Sequence, residues 1–157
     1  MTGVQTCALP ISYILPQIEY CNTIYKLNIN QTNRIERIQR MVSRFICNKM
    51  NMLDLNYKQR LEIIGIKKLE TRRDIRILIN LFKYCKSNYK RLHVFNNIYK
   101  FVNNRNGKFL YVPRTRNNLC DRNFYINSIK LYNSLPIYIR NIEKLSLFKR
   151  SLNLFYK

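Results

Sequence analysis

The amino-acid sequence predicts a mostly α-helical fold: a small bundle of about five to six helices with one irregular or hairpin-like connection near residues 95–118. Three observations carry that expectation. Apolar residues recur at three- and four-residue intervals over most of the chain, the repeat that gathers them on one face of a helix. Asn, Thr and Ser stand where such runs begin, and a Gly and a Pro stand where two of them end. Of 157 residues, 46% are hydrophobic, enough to fill a core and too many for a disordered chain.

Met1 to Ile11 carries no charge in a chain otherwise dense with it. Its Met-Thr-Gly-Val-Gln-Thr-Cys-Ala-Leu-Pro-Ile resembles a translated sequencing adapter read through in frame, and it lacks the basic start and long apolar run of a secretory leader. Residues 1–11 are therefore expected to be an artefact, and the rest the tail of a longer protein. From Ser12 to Leu27, the residues Ile14, Leu15, Ile18, Ile24 and Leu27 fit a helix that tolerates Pro16 in its first turn. Asn28 and Asn30 mark its end.

The next helix is expected to start near Thr32 or Asn33, with Asn33 and Glu36 spaced as a capping box, and to run to about Asn48. Ile35, Ile38, Val42, Phe45 and Ile46 share one side of it, and Arg37, Arg40 and Arg44 form a narrow stripe opposite. Asn56 caps a short helix, Tyr57 to Ile64, which Gly65 ends by adopting left-handed backbone angles. The strongest helical pattern spans Leu69 to Lys86. Its buried arc is Ile75, Leu78, Leu81, Phe82 and Cys85, with Arg72, Arg76 and Lys83 gathered within about 40° on the other side.

Between His93 and Asn118 the repeat breaks, and Asn103, Asn104, Asn106 and Gly107, followed by Phe109, Tyr111 and Pro113, suit a hairpin or irregular link. After Asp121, a helix through Phe124, Ile129, Leu131 and Tyr132 is stopped by Pro136, whose ring pushes the preceding residue out of helical angles. Ser146 caps a last amphipathic helix through Leu147, Phe148, Leu152 and Phe155. The expected organisation is a helical region over 12–92, a linker or hairpin-like connection over 93–118, and a C-terminal helical segment over 119–157.

Charge narrows the function. Twenty-nine Lys and Arg against eight Asp and Glu give a net charge of +21, which selects acidic partners. AT-rich coding favours Asn, Ile, Lys and Tyr and accounts for part of this excess, but covers Arg only in part. No apolar run approaches the roughly 20 residues that cross a bilayer, so no membrane role is expected. The cysteines beyond Cys7, namely Cys21, Cys47, Cys85 and Cys120, lack metal-binding spacing and have only His93 as an imidazole partner. They read as reduced, packed side chains of an intracellular protein.

Catalytic vocabulary is thin. Three scattered glycines cannot form a phosphate-cradling loop, and Asp54, Asp74, Asp121 and the five Glu are not paired as two-metal polymerisation requires. No catalytic residue, metal, cofactor or small-molecule ligand is expected for this segment. What remains is the basic helix faces. Guanidinium groups in rows opposite a hydrophobic face bind phosphate oxygens without reading sequence, with neighbouring Tyr and Phe able to stack on bases.

Several strings, taken in order, resemble the C-terminal part of reverse transcriptases of non-LTR (LINE-type, jockey-like) retrotransposons. Ile14-Leu15-Pro16-Gln17-Ile18-Glu19-Tyr20-Cys21 is similar to the family's Leu-x-Tyr-Cys-x-x-x-Trp helix after the polymerase palm, with Tyr25 at the Trp position. Ile35-Glu36-Arg37-Ile38-Gln39-Arg40 resembles its Glu-x-x-Gln-Arg helix. Tyr57, Arg60 and Leu61, followed by Leu69-Glu70-Thr71-Arg72-Arg73, resemble its Tyr-x-x-Arg-Leu and Leu-Glu-x-Arg-Arg run. Arg114-Thr115-Arg116, Tyr132-Asn133-Ser134-Leu135-Pro136 and Ser146 with Phe148-Lys149 and Leu152 resemble the closing signature, with Tyr132 again in place of Trp.

The resemblance implies a thumb and post-thumb region that grips an RNA or DNA template–primer duplex beside the palm. The parent would be an RNA-directed DNA polymerase needing Mg2+, at work in the cytoplasm and nucleus of a eukaryotic host. The expected backbone contacts are Arg37, Arg40, Arg44, Arg72, Arg73, Arg76 and Lys83; the alternative for Leu69-Glu70-Thr71-Arg72-Arg73 is a structural role, with Glu70 pairing a neighbouring helix. Two other expectations stand beside this one: a standalone basic module that meets an acidic protein, and an untranslated pseudogene remnant.

Overall fold

The computed structural model describes residues 12–14, 16, 17, 19, 26–86, 99–104, 107–114 and 123–156. These are mostly helical, as the periodicity predicts. The elements are α1 (Ile29–Lys49), α2 (Tyr57–Ile64), α3 (Leu69–Lys86), β1 (Phe101–Asn104), β2 (Gly107–Leu110), α4 (Phe124–Ser134), α5 (Ile137–Arg140) and α6 (Leu145–Phe155). Ahead of α1, residues 12–14, 16, 17 and 19 are helical whereas 26–28 are not, so the first expected helix stops short of Leu27. The expectations for Met1–Ile11, Cys21, His93 and Cys120 fall outside the described residues.

Local chemistry sets the helix ends. α1 begins earlier than its sequence suggests because Asn28 and Gln31 form the capping box: the Asn28 side chain accepts from the Gln31 N–H (2.8 Å) and the Gln31 side chain accepts from the Asn28 N–H (3.0 Å). The expected Asn33–Glu36 box does not form, since Glu36 is engaged elsewhere. α2 starts at Asn56, boxed with Gln59, and ends as predicted at Gly65, whose φ of 76° places it in the left-handed region. The Gly65 N–H then reaches Glu62 O and the Ile66 N–H reaches Leu61 O, a Schellman closure that satisfies the last carbonyls.

The chain divides into two compact units, Met1–Asn22 with Leu27–Arg73, and Thr23–Lys26 with Asp74–Lys157. In the first, Ile46, Cys47, Leu61 and Leu69 are buried together with the polar Gln39, Ser43 and Arg73. The expected apolar side of α1 is corrected in part: Ile46 is buried, but Ile38 and Phe45 are exposed. The inward face instead runs through Gln39, Ser43, Ile46 and Cys47, because the polar members find hydrogen-bond partners inside.

In the second unit, β1 and β2 pair antiparallel from Phe101 opposite Leu110 to Asn104 opposite Gly107, so the expected connection is a true hairpin. It joins the core through Leu110, which packs with Leu78, Leu81, Phe82, Ile129 and Phe148. The rings of Phe82 and Phe148 stack with centroids 4.5 Å apart. Asn123 caps α4, and Leu135, extended ahead of Pro136, ends it. Pro136 then opens α5, its carbonyl accepting from the Ile139 and Arg140 N–H groups. Ser146 is not the cap of α6: the helix starts at Leu145, after Lys144, with no side-chain cap. Packing of Leu145 against the core draws the start of the helix ahead of the serine.

Candidate nucleic-acid interface

In the first unit the strings Glu36–Arg40, Tyr57–Leu61 and Leu69–Arg73 meet in one polar cluster. The Glu36 carboxylate accepts from the Tyr57 hydroxyl with one oxygen and from the Leu69 N–H (3.2 Å) with the other, so a side chain of α1 caps the first turn of α3. Gln39 donates to Tyr57 Oη (3.0 Å) and to Lys67 O (3.2 Å), and accepts from Arg72 Nη2 (2.8 Å). Arg72 also donates through Nη1 to Lys67 O (3.1 Å) and pairs with Glu19 at 2.6 Å. Burial, reinforced by the neighbouring Glu36, holds the Tyr57 phenol well above its ordinary range. It is a neutral hydrogen-bond relay at any physiological pH.

This cluster decides where two expected contacts lie. Arg72 and Arg73 were expected on a basic face, but Arg72 is enclosed by Glu19, Gln39 and Lys67, and Arg73 is buried with 8% of its surface exposed. Both guanidinium groups are thus turned into the unit and not along an exposed basic face. Glu70, expected to pair a neighbouring helix, is exposed in the first turn of α3, and Glu36 does the capping instead. The signal was in the sequence: Glu36, Gln39, Ser43 and Ile46 repeat at helical spacing, so one polar stripe shares the side of a core residue.

Arg37, Arg40 and Arg44 are exposed along α1. Seven residues at about 1.5 Å each spread them over roughly 10 Å of helix axis. The guanidinium of Arg40 lies over the Tyr57 ring, 5.1 Å from its centroid, and that of Arg60 approaches the same ring at 5.9 Å. Arg60, which the sequence reading did not place at the site, also donates to Leu55 O and sits 3.5 Å from Ser43 Oγ. Tyr57 therefore orients Arg40 from beneath while its hydroxyl is fixed by Glu36. α1 contains no acid except Glu36, so the charges on its exposed side are all positive. In the second unit Arg76 and Lys83 are exposed on α3.

The strings of the second unit are likewise joints. Tyr132 is buried and donates to Arg140 O (3.1 Å), while Asn133 accepts from the Leu110 N–H (2.9 Å) and donates to Leu110 O (2.8 Å), fastening the hairpin to α4. Among the described residues no group of His, Cys, Asp and Glu could hold a metal ion, and no helix is long and apolar enough to cross a membrane. Cys47 is buried and Cys85 partly so, and neither is in a disulfide. Compared with family models, with curated proteins and with solved structures, the chain has no match in any of the three.

Proposed function

We propose that this chain is the non-catalytic, nucleic-acid-gripping part of an RNA-directed DNA polymerase of the non-LTR retrotransposon type. It binds the backbone of the template–primer duplex through Arg37, Arg40 and Arg44, with Arg76 and Lys83 as further contacts. The observation that supports this reading is the row on α1: three exposed guanidinium groups, one of them oriented by the Tyr57 ring, on a helix side without a carboxylate. Phosphates bind such a row in any sequence context. Polymerisation belongs to the palm of the parent protein, with its Mg2+; no step proposed for these residues runs through a metal. The site of action that goes with this reading is the cytoplasm and nucleus of a eukaryotic host.

The test is the salt dependence of binding to a duplex of arbitrary sequence. Each phosphate contact contributes about 0.9 to the slope of log affinity against log salt, so the triple variant R37Q/R40Q/R44Q lowers its magnitude by about 2.7 on duplex DNA and about 2 on a single strand. Binding weakens equally on unrelated sequences. A slope unchanged in the triple variant overturns the proposal.

A further inference from the structure

The side of α1 next to the arginine row is apolar and uncovered. Ile38, Met41 and Phe45 keep 45%, 66% and 54% of their surface exposed, and Met52 and Leu53 beyond the helix are exposed as well. Single exposed hydrophobic residues are ordinary, but a contiguous set marks an interaction surface. Ile38, Met41 and Phe45 stand at i, i+3 and i+7, so they form one ridge over roughly 10 Å of helix. At about 100° per residue the ridge centres about a quarter-turn from the row of Arg37, Arg40 and Arg44. The two faces are neighbours and do not coincide.

The borders of the ridge are cationic. Arg37 and Arg44 lie along it on one side, Arg34 stands in line with it one turn before Ile38, and Lys49 lies on the other side, with its ammonium 5.9 Å from the centre of the Phe45 ring. The single carboxylate of α1, on Glu36, is turned inward to Tyr57 and Leu69.

We propose that this ridge docks an amphipathic helix with acidic borders: a protein segment with apolar residues at i, i+3 or i+4 and i+7, flanked by Asp or Glu. The spacing is that of helix-in-groove recognition, and the unbranched Met41 side chain adapts to the partner's surface. Charge complementarity selects the acidic flanks. A second copy of this chain would bring the same arginines against themselves at a net charge of +21 per copy, which repels. Nucleic-acid bases stack on aromatic faces, and two of the three ridge residues are aliphatic.

The experiment uses the full chain and two synthetic peptides of equal composition and charge, one with Leu at i, i+3 and i+7 between glutamates, the other with the leucines dispersed. Binding is followed by fluorescence anisotropy at about 0.15 M salt. The ordered peptide is expected to bind at least about tenfold more tightly, and the double variant M41S/F45S to lose that advantage while keeping its thermal unfolding midpoint and its duplex affinity. Equal binding of the two peptides, or binding of neither, overturns the proposal. So does a wild-type dimer that M41S/F45S abolishes, which would make the occupant a second copy, or a loss of nucleic-acid affinity in M41S/F45S, which would make it a base. An unchanged salt slope in R37Q/R40Q/R44Q bears on the phosphate grip and leaves this result standing.

Discussion

Glu36→Gln separates the part of the molecule that holds α3 in place from the part that faces solvent. The Glu36 carboxylate receives two hydrogen bonds, from the Tyr57 hydroxyl and from the Leu69 N–H at 3.2 Å, and the second lies at the N-terminus of a helix. Glutamine keeps one oxygen for the Leu69 N–H and turns an NH2 donor to Tyr57 Oη, so both bonds become neutral and the Tyr57 O–H loses its charged acceptor. Hydrogen bonds to a charged acceptor are worth about 1.5–3 kcal/mol and neutral ones about 1. A negative charge at a helix N-terminus adds about 0.3–1 kcal/mol. With some return for no longer desolvating a charge, the expected loss is about 2–4 kcal/mol. Urea unfolding followed by circular dichroism at pH 7 measures it, with Glu70→Gln as the comparison. Glu70 is exposed in the same first turn, so its substitution should stay within about 0.5 kcal/mol, as most surface changes do. The Tyr57 phenol should also ionise at lower pH in Glu36→Gln, because the carboxylate is one of the causes that hold it up after burial. Equal losses for the two variants, or a Glu36→Gln loss below about 0.5 kcal/mol, would refute the assignment of the cap to Glu36.

Asn133→Ala removes both partners of the Leu110 backbone, leaving a buried N–H and C=O unsatisfied; a destabilisation of about 2–4 kcal/mol and faster hydrogen exchange at the Leu110 amide are expected, and an unchanged exchange rate would sink the clamp. High pH should unfold the second unit: burial pushes Tyr99 up to about 12, and burial followed by the nearby Asp74 does the same for Tyr156. Both phenols are raised above their unfolded value near 10, so their contribution is complete below pH 10 and disappears as pH climbs towards 12. Urea midpoints should hold to about pH 10 and fall beyond it in step with tyrosinate absorbance, and midpoints that stay flat to about pH 12 would contradict this.

Where elements begin and end was legible wherever one residue type has one physical option. Gly65 at φ 76° ends α2, and Asn56 opens it, because few residues take those positions well. Pro136 stops α4 for an equally local reason. Starts were less legible where several candidates compete. Asn28, Asn30, Thr32 and Asn33 can each cap, and the choice falls on Asn28 because Gln31 reciprocates three residues later. Ser146 is the opposite case: a good cap by type, passed over because Leu145 already packs into the core. Tertiary packing outranks propensity there.

The candidate site was legible as a set of exposed arginines on α1 and not as a set of arginines overall, and the reason is the inventory of internal acceptors. Periodicity sorts residues by hydrophobicity, so it sends Ile38 and Phe45 inward and Arg72 outward. The molecule does the reverse because Glu19, Gln39 and Lys67 O provide a guanidinium with what water would otherwise give it. Once Arg72 is satisfied from within, Gln39 and Ser43 are drawn to the same side of α1, and Ile38, Met41 and Phe45 are rotated out. The apolar ridge and the inward arginine are thus two consequences of one buried polar cluster. It follows that Arg72→Gln and Arg37→Gln, identical in charge, should differ in kind. The first leaves Glu19 without its ion pair and lowers stability, while the second leaves stability within about 0.5 kcal/mol and removes about one phosphate contact from the salt slope. A stability loss shared equally by both would mean that the cluster does not set the orientation of α1.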